Sequence, residues 1–405
     1  MNILRDGLAF GIGAPGAQVD FRMFNLVKHL SKKYMHNVTI IAFKYEEDSE
    51  KYLKKYCDKV ITVNLPILYE KRLVYYIINY IIGILLQDIS LRKRNILDYR
   101  FSWKMQGKIK ELLKTKEFDI VFVDDPSMVS YILDLSLPKI LTEVGNIPEI
   151  HRAAFKIEKN ILKRLYRLLL YFIARNYEKN YEKFDMLITV TEQQKGILES
   201  RLSDLNISVI PFGVILNLKS EDFNQDFPSL LFLGSLDSIF NQRAILSFYK
   251  ETYPLIKEKI PNIKLYIVGK NPSKEILRLV RDNSVIITGY VEDTRPYLAR
   301  ASVIILPIHG FGIKTRLLEA MAMGKPVVIS SAGIHGIDVT PEKDIIVADG
   351  PEEFAERVIK LLNDEALRKK IGTNARKLME EKYSWEKMAD TLNEVSQEVV
   401  TKRRK

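Results

Sequence analysis

One cysteine, Cys57, stands in 405 residues, which excludes an internal disulfide and a cysteine-held metal cluster. Histidine is nearly as scarce, with five in the chain. There is no D-x-D pair, no histidine cluster, no P-loop and no zinc-finger spacing, so no motif asks for a metal or a nucleotide triphosphate. An aromatic-rich RNA signature and a compact basic docking helix are also missing, which speaks against nucleic acid as the partner. No apolar run is long enough to cross a bilayer: the longest, residues 73–86, has fourteen residues. The start, MNILRDGLAFGIGAPG, lacks the basic-then-apolar order of a secretory signal, so the expected location is the cytoplasm.

What is present is ordinary globular material, 47% hydrophobic and 28% charged, in a chain long enough for two domains. The net charge of +11 draws the surface toward anions, whether phosphorylated small molecules or a lipid surface. Short apolar runs at 38–43, 60–63, 119–123, 139–141, 186–190 and 209–210 alternate with helical patterns. The rhythm restarts at 230–233, 265–268, 285–287, 303–306, 327–329 and 345–347. Two parallel α/β sheets follow, with a boundary near 215: an N-terminal domain over 1–215, a second over 216–383, and a C-terminal helix with a basic tail over 384–405. Ser384 is a good cap for that helix.

Two stretches combine apolar and basic residues. Lys71 and Arg72 precede 73–86, and Arg92, Lys93 and Arg94 follow it; the second stretch is 161–175, ILKRLYRLLLYFIAR. Each reads either as a core-facing helix or as a helix in an anionic membrane interface, which would make the protein peripheral on the inner membrane face.

After the apolar run 303–306 come His309, Gly310, Phe311 and Gly312, then a helical pattern over 313–323. A glycine loop leading into a helix start suits a phosphate, because backbone N–H groups and the positive dipole end meet there. Gly312, Arg316 and Glu319 share one helical face, with Lys314 in the first turn. An i, i+3 surface ion pair between Arg316 and Glu319 is the bland alternative.

The block FGIKTRLLEAMAMGKPVVISS at 311–331 resembles the most characteristic block of the glycosyl transferases group 1, retaining glycosyltransferase family four with the GT-B fold. LFLGSL at 231–236, Asn241, Arg243, IVG at 267–269, TGYVED at 288–293 and YSW at 383–385 fall where that family has similar residues. A looser likeness runs through Arg22, Asn25, 176–178, 188–192 and 210–214. The resemblance implies two Rossmann-like domains facing a cleft, the C-terminal one holding a nucleotide sugar and the N-terminal one the acceptor, with the last helix crossing back.

It further implies that Glu319 holds the ribose hydroxyls, and that Gly310 and Gly312 form the phosphate loop beside His309 and Phe311. Lys314, Arg316 and Arg243 would meet the diphosphate, with Lys314 and Arg316 as the candidates for a catalytic part. Gly289, Tyr290 and Val291 would edge the base, and Gly16 would close on the diphosphate from the N-terminal domain. The implied reaction passes a sugar from a UDP- or GDP-sugar to a glycan, lipid-linked or other hydroxyl, without metal or further cofactor, in polysaccharide or glycoconjugate synthesis.

The sequence departs from the family pattern twice. Phe311 stands where many members have the first glutamate of an E-x7-E pair, and Gly145 precedes Asn146 where a histidine is common. His151 reads as structural. Asp124 and Asp125 suit a helix-entry loop as well as they suit catalysis. A non-catalytic nucleotide-sugar or membrane binder and a nucleotide-sugar epimerase are the rival readings.

Overall fold

The computed structural model describes residues 6–10, 18–44, 53–64, 102–158, 160–202, 204–216, 228–308 and 315–404. The segment 73–86 and the cations flanking it lie outside them, as do Gly16 and 309–314. The chain divides into two compact units, Met1–Pro211 with Met388–Lys405, and Phe212–Lys387.

The first unit is a seven-stranded sheet in the order β3-β2-β1-β4-β5-β6-β7. Its strands are β1 (Asp6–Phe10), β2 (Asn37–Lys44), β3 (Lys59–Asn64), β4 (Ile120–Val123), β5 (Lys139–Glu143), β6 (Met186–Thr189) and β7 (Ile207–Val209). All are parallel, as buried apolar strands joined by helical crossovers must be. The sequence reading has no strand at β1: DGLAF offers a short run broken by glycine, and only its place between β2 and β4 makes it a strand. The helices of this unit are α1 (Gln18–Tyr34), α2 (Trp103–Thr115), α3 (Ile147–Ile157), α4 (Ile161–Glu178) and α5 (Glu192–Glu199). Met105, Ile109 and Leu112 of α2 lie at i, i+4 and i+7 and enter the core together.

The second unit is a six-stranded parallel sheet in the order β10-β9-β8-β11-β12-β13. It uses β8 (Ser229–Leu233), β9 (Lys264–Val268), β10 (Val285–Gly289), β11 (Val303–Leu306), β12 (Val327–Ile329) and β13 (Ile346–Val347). Around it run α6 (Ile239–Ser247), α7 (Tyr253–Lys259), α8 (Lys274–Leu277), α9 (Arg295–Arg300), α10 (Thr315–Ala322), α11 (Pro351–Asn363) and α12 (Glu365–Lys382). Gly372 of α12 fits where a Cβ would stand 1.9 Å from the carbonyl oxygen of Gly324, the left-handed residue that follows α10 (φ +67°), so α12 packs backbone to backbone against the end of α10.

The last helix, α13 (Trp385–Arg404), begins on the Ser384 hydroxyl, which accepts from the Lys387 N–H at 3.2 Å. From Met388 onward it belongs to the first unit, where Asp390 meets Lys33 and Tyr34, and Asn393 Oδ1 lies 2.7 Å from His36 Nε2.

Candidate functional site

In the second unit the chain runs outward from β8 in both directions: β9 and β10 lie on one side, β11 to β13 on the other. At such a switch point the crossovers leave on opposite faces, and a crevice opens at the carboxyl ends of the central strands. Arg316 on α10, after β11, reaches across it to α6, after β8. Its Nη2 donates to Asn241 Oδ1 at 3.0 Å. Asn241 is oriented for this, because its Nδ2 donates to the Ser235 carbonyl at 2.8 Å. The guanidinium also lies 5.5 Å from the centroid of the buried Phe232 ring.

Glycine makes the arrangement possible. A Cβ on Gly234 would fall 2.0 Å from Arg316 Nη1, and one on Gly269 would fall 1.8 Å from the Gly234 carbonyl oxygen. The loop after β8 therefore lies flat against the end of β9, held by Gly234 N–H to the Val268 carbonyl and Leu236 N–H to the Lys270 carbonyl.

Arg316 and Glu319 form no ion pair with each other, so the surface-pair alternative is not what α10 does. Burial pulls Arg316 down to about 10, and its Nε is buried without a partner. Burial also raises the Glu319 carboxyl above the ordinary glutamate value, and no side chain or N–H among the described residues donates to it. Among the described residues, one helical face thus carries a cation without an anion and a hydrogen-bond acceptor without a donor less than a turn apart. Leaving both groups short of partners in a half-buried place costs stability unless a ligand completes them.

The other sequence-predicted residues divide in two. Gly289 (φ +73°) ends β10, its carbonyl accepting from the Gly269 N–H at 3.0 Å, while Tyr290 is 73% exposed and Val291 half-buried beside it. They therefore stand at the same carboxyl edge as Gly234, as does α6, where Arg243 is exposed. Gly16, His309, Gly310, Phe311, Gly312 and Lys314 lie outside the described residues. Asn241, Phe232 and Gly234 stand in the quoted sequence blocks but receive no role from sequence alone. Among the described residues no group of three or more His, Cys, Asp or Glu could hold a metal ion.

The first unit has a polar cluster at the corresponding switch point, between β1 and β4. Arg22 of α1 and Asp124 after β4 form an ion pair at 2.6 Å with both side chains almost wholly buried. Burial pushes Asp124 up to about 6 although Arg22 pulls it down. A cavity of about 40 Å³ adjoins the pair, lined also by His36, Thr142, Asn393 and Ser396, which is room for ordered water. Asp125 caps the following turn, accepting from the Ser127 N–H at 2.7 Å, so of the two aspartates this one serves helix entry.

Next to them Glu143 ends β5. It is buried, accepts the Tyr181 hydroxyl at 2.5 Å, and accepts the N–H groups of Gly145 and Asn146 at 3.1 and 2.7 Å. These bonds hold Asn146 in the left-handed region (φ 45°), with both side-chain amide atoms buried and unpartnered. Strain and unmet polar atoms together mark Asn146 as the residue of this unit poised for a ligand. His151 is buried with its Nδ1 3.5 Å from Arg167 Nη1, a packing role.

Burial pushes the Glu143 carboxyl up to about 7, so between pH 4.5 and 7 the folded chain holds a proton that the unfolded chain releases. Stability from this group is present at low pH and lost as pH rises through that window. Glu143→Gln keeps an acceptor for the two N–H groups and a donor for the Tyr181 oxygen, and it cannot ionise. Urea midpoints should therefore rise for the variant relative to the parent between pH 5 and pH 8, while a pH-independent difference would refute the assignment.

Residues 227–364 match the family described as Glycosyl transferases group 1. An uncharacterized glycosyltransferase of Methanocaldococcus jannaschii is 25% identical over 325 residues, covering 76% of this chain and 80% of that protein. The chain is a glycosyltransferase, and its second unit carries the group 1 match. A capsular polysaccharide biosynthesis glycosyltransferase of Staphylococcus aureus, CapM, is 28% identical to this transferase over 232 residues, 51% of this chain and 61% of its own. The structure of HepE from Anabaena in complex with UDP-glucose covers 96% of the transferase and 98% of its own chain, with a TM-score of 0.67 and 13% identity. That likeness is one of fold, and the fold is GT-B.

Proposed function

We propose that the transferase moves a sugar from a UDP- or GDP-sugar to a hydroxyl of a glycan or lipid-linked acceptor, with retention at the anomeric carbon, in polysaccharide or glycoconjugate synthesis. The observation that carries the reading is the pair of unmet groups on α10. Among the described residues, Arg316 is a buried guanidinium with no anion and Glu319 a carboxylate with no donor. A nucleoside diphosphate brings an anion and a ribose diol joined at a fixed distance, and so completes both. CapM and the UDP-glucose complex of HepE support the same choice of reaction and donor.

In this reading Glu319 accepts from the ribose hydroxyls. Arg316 faces the diphosphate together with Lys314 and the backbone at Gly310 and Gly312, with Gly16 and Arg243 as further contacts and Gly289 to Val291 beside the base. Positive charge aimed at the diphosphate lowers the barrier by stabilising negative charge as the glycosidic bond breaks. The leaving diphosphate oxygen takes the acceptor proton on the same face of the sugar, so no protein nucleophile and no metal enters. The place of action is the cytoplasmic face of a membrane, through the apolar and basic stretches 71–94 and 161–175. No helix among the described residues is long and apolar enough to cross one.

Thermal unfolding against UDP-glucose, UDP-N-acetylglucosamine and GDP-mannose tests the donor: the true carrier raises the midpoint, by about 2.7 kcal/mol of stabilisation at a hundredfold excess over its Kd. Proton NMR of the first product then reads the anomeric configuration. Silence toward all three donors, or an inverted product, would overturn the reading.

A further inference from the structure

The helical hairpin of α3 and α4 has one face that no part of the described structure covers. Leu162, Leu165, Leu169 and Phe172 follow one another at spacings of three, four and three residues, which sets them in one stripe along α4. They are 74%, 55%, 52% and 60% exposed. The opposite face, Leu170, Ala174 and Tyr177, is in the core, and the Tyr177 hydroxyl donates to the Pro126 carbonyl at 3.1 Å, so the helix is seated and its stripe faces outward. A continuous apolar stripe left in water is unfavourable and marks a surface made for something else.

Charge decides what that is. Arg164 on α4 and Arg152 and Lys156 on α3 are exposed on the hairpin that carries the stripe. The acids of the hairpin are engaged: Glu149 with Arg152 and Arg201, Glu178 with Arg175 and Arg201, and Glu158 accepting from the Asn160 N–H. A second copy would bring the same cations against these. The chain's other apolar stretch is bordered by Lys71, Arg72, Arg92, Lys93 and Arg94 and would do likewise. An anionic lipid surface has the opposite sign and an apolar layer just beneath it. At 18 residues with charges along its length, α4 is built to lie in the interface and not to span it.

We propose that α4 docks the transferase on anionic lipid bilayers, the stripe from Leu162 to Phe172 entering the acyl boundary and the exposed Arg164 and Lys156 of the hairpin resting among headgroup phosphates. This gives the membrane-face reading a specific element, and it is measured without donor or acceptor, so its failure leaves the transfer reading untouched.

The test is flotation of the full chain with phosphatidylcholine vesicles, with and without phosphatidylglycerol. The parent should float with the anionic vesicles at low salt and be released as salt rises. The triple change Leu165→Gln, Leu169→Gln and Phe172→Gln, all at exposed sites, should weaken partitioning at least about tenfold, equivalent to about 1.4 kcal/mol. The pair Lys156→Glu and Arg164→Glu should weaken binding to the anionic vesicles by roughly fivefold per cation. A parent that stays in solution with anionic vesicles, or a triple variant that floats like the parent, overturns the proposal. So does a parent that self-associates in sedimentation through this stripe while ignoring vesicles. Matching circular dichroism and thermal midpoints for the variants confirm that any loss belongs to the surface.

Discussion

Changing Glu319 to alanine should weaken the binding of UDP and GDP by roughly tenfold to a hundredfold while leaving the fold intact. The carboxylate is half-buried and has no donor among the described residues, so a ribose diol would meet an acceptor already stripped of part of its water. Hydrogen bonds to a charged group are worth about 1.5–3 kcal/mol, which sets the size of the loss. Removing an unsatisfied carboxylate costs the free protein nothing in contacts, so its thermal midpoint should hold or rise. Titration calorimetry with each nucleotide reads the affinity directly. Glu319→Gln, with a single carbonyl oxygen to accept, should fall between the parent and alanine.

The same group gives the binding a pH signature. Burial raises the Glu319 carboxyl, and the ionised form is the one that accepts from both hydroxyls. Nucleotide affinity should therefore fall on acidification, beginning at a higher pH than for an ordinary glutamate, and the fall should be absent in Glu319→Gln. Unchanged affinity for both nucleotides in a folded alanine variant would remove Glu319 from the site.

The sequence exposes the sheets more readily than the sites because a buried parallel strand is a local pattern. Runs such as 303–306 and 327–329 are apolar throughout and coincide with β11 and β12. β1 is the exception, since it becomes a strand through neighbours that lie distant in the chain. Stretch 161–175 supports two readings because composition does not say which way a residue faces; the period of the helix places Leu170 and Ala174 in the core and Leu165 and Leu169 outside. Among site residues, helical spacing sets Arg316 and Glu319 on one face and permits them to pair. What prevents it is Asn241, 75 residues earlier, which takes the guanidinium. Glu143 looks like loop sequence until Tyr181, 38 residues later, closes over it.

Arg22→Leu should destabilise the protein by about 3–5 kcal/mol at pH 8, the usual cost of removing one partner from a buried ion pair. Arg22 and Asp124 are 102 residues apart, and their side chains are 2% and 1% exposed. Without the guanidinium, Asp124 keeps its desolvation and loses its largest stabilising neighbour, so its carboxyl, already at about 6, moves higher. The variant's deficit should then grow as pH rises above 6 and shrink in acid, where Asp124 can take a proton; the sign is that of a carboxyl whose folded value is raised. The adjoining cavity admits water and softens the penalty without cancelling it, because water supplies hydrogen bonds and no net charge. Adding Asp124→Leu to Arg22→Leu removes the stranded charge and should recover most of the loss, since apolar replacements of a buried pair are often near neutral. Urea unfolding of the parent, both single variants and the double variant at pH 5 and pH 8 measures the coupling. A single variant within about 1 kcal/mol of the parent at pH 8 would mean that the pair is open to solvent, and that the switch point of the first unit is kept polar for a ligand instead of for stability.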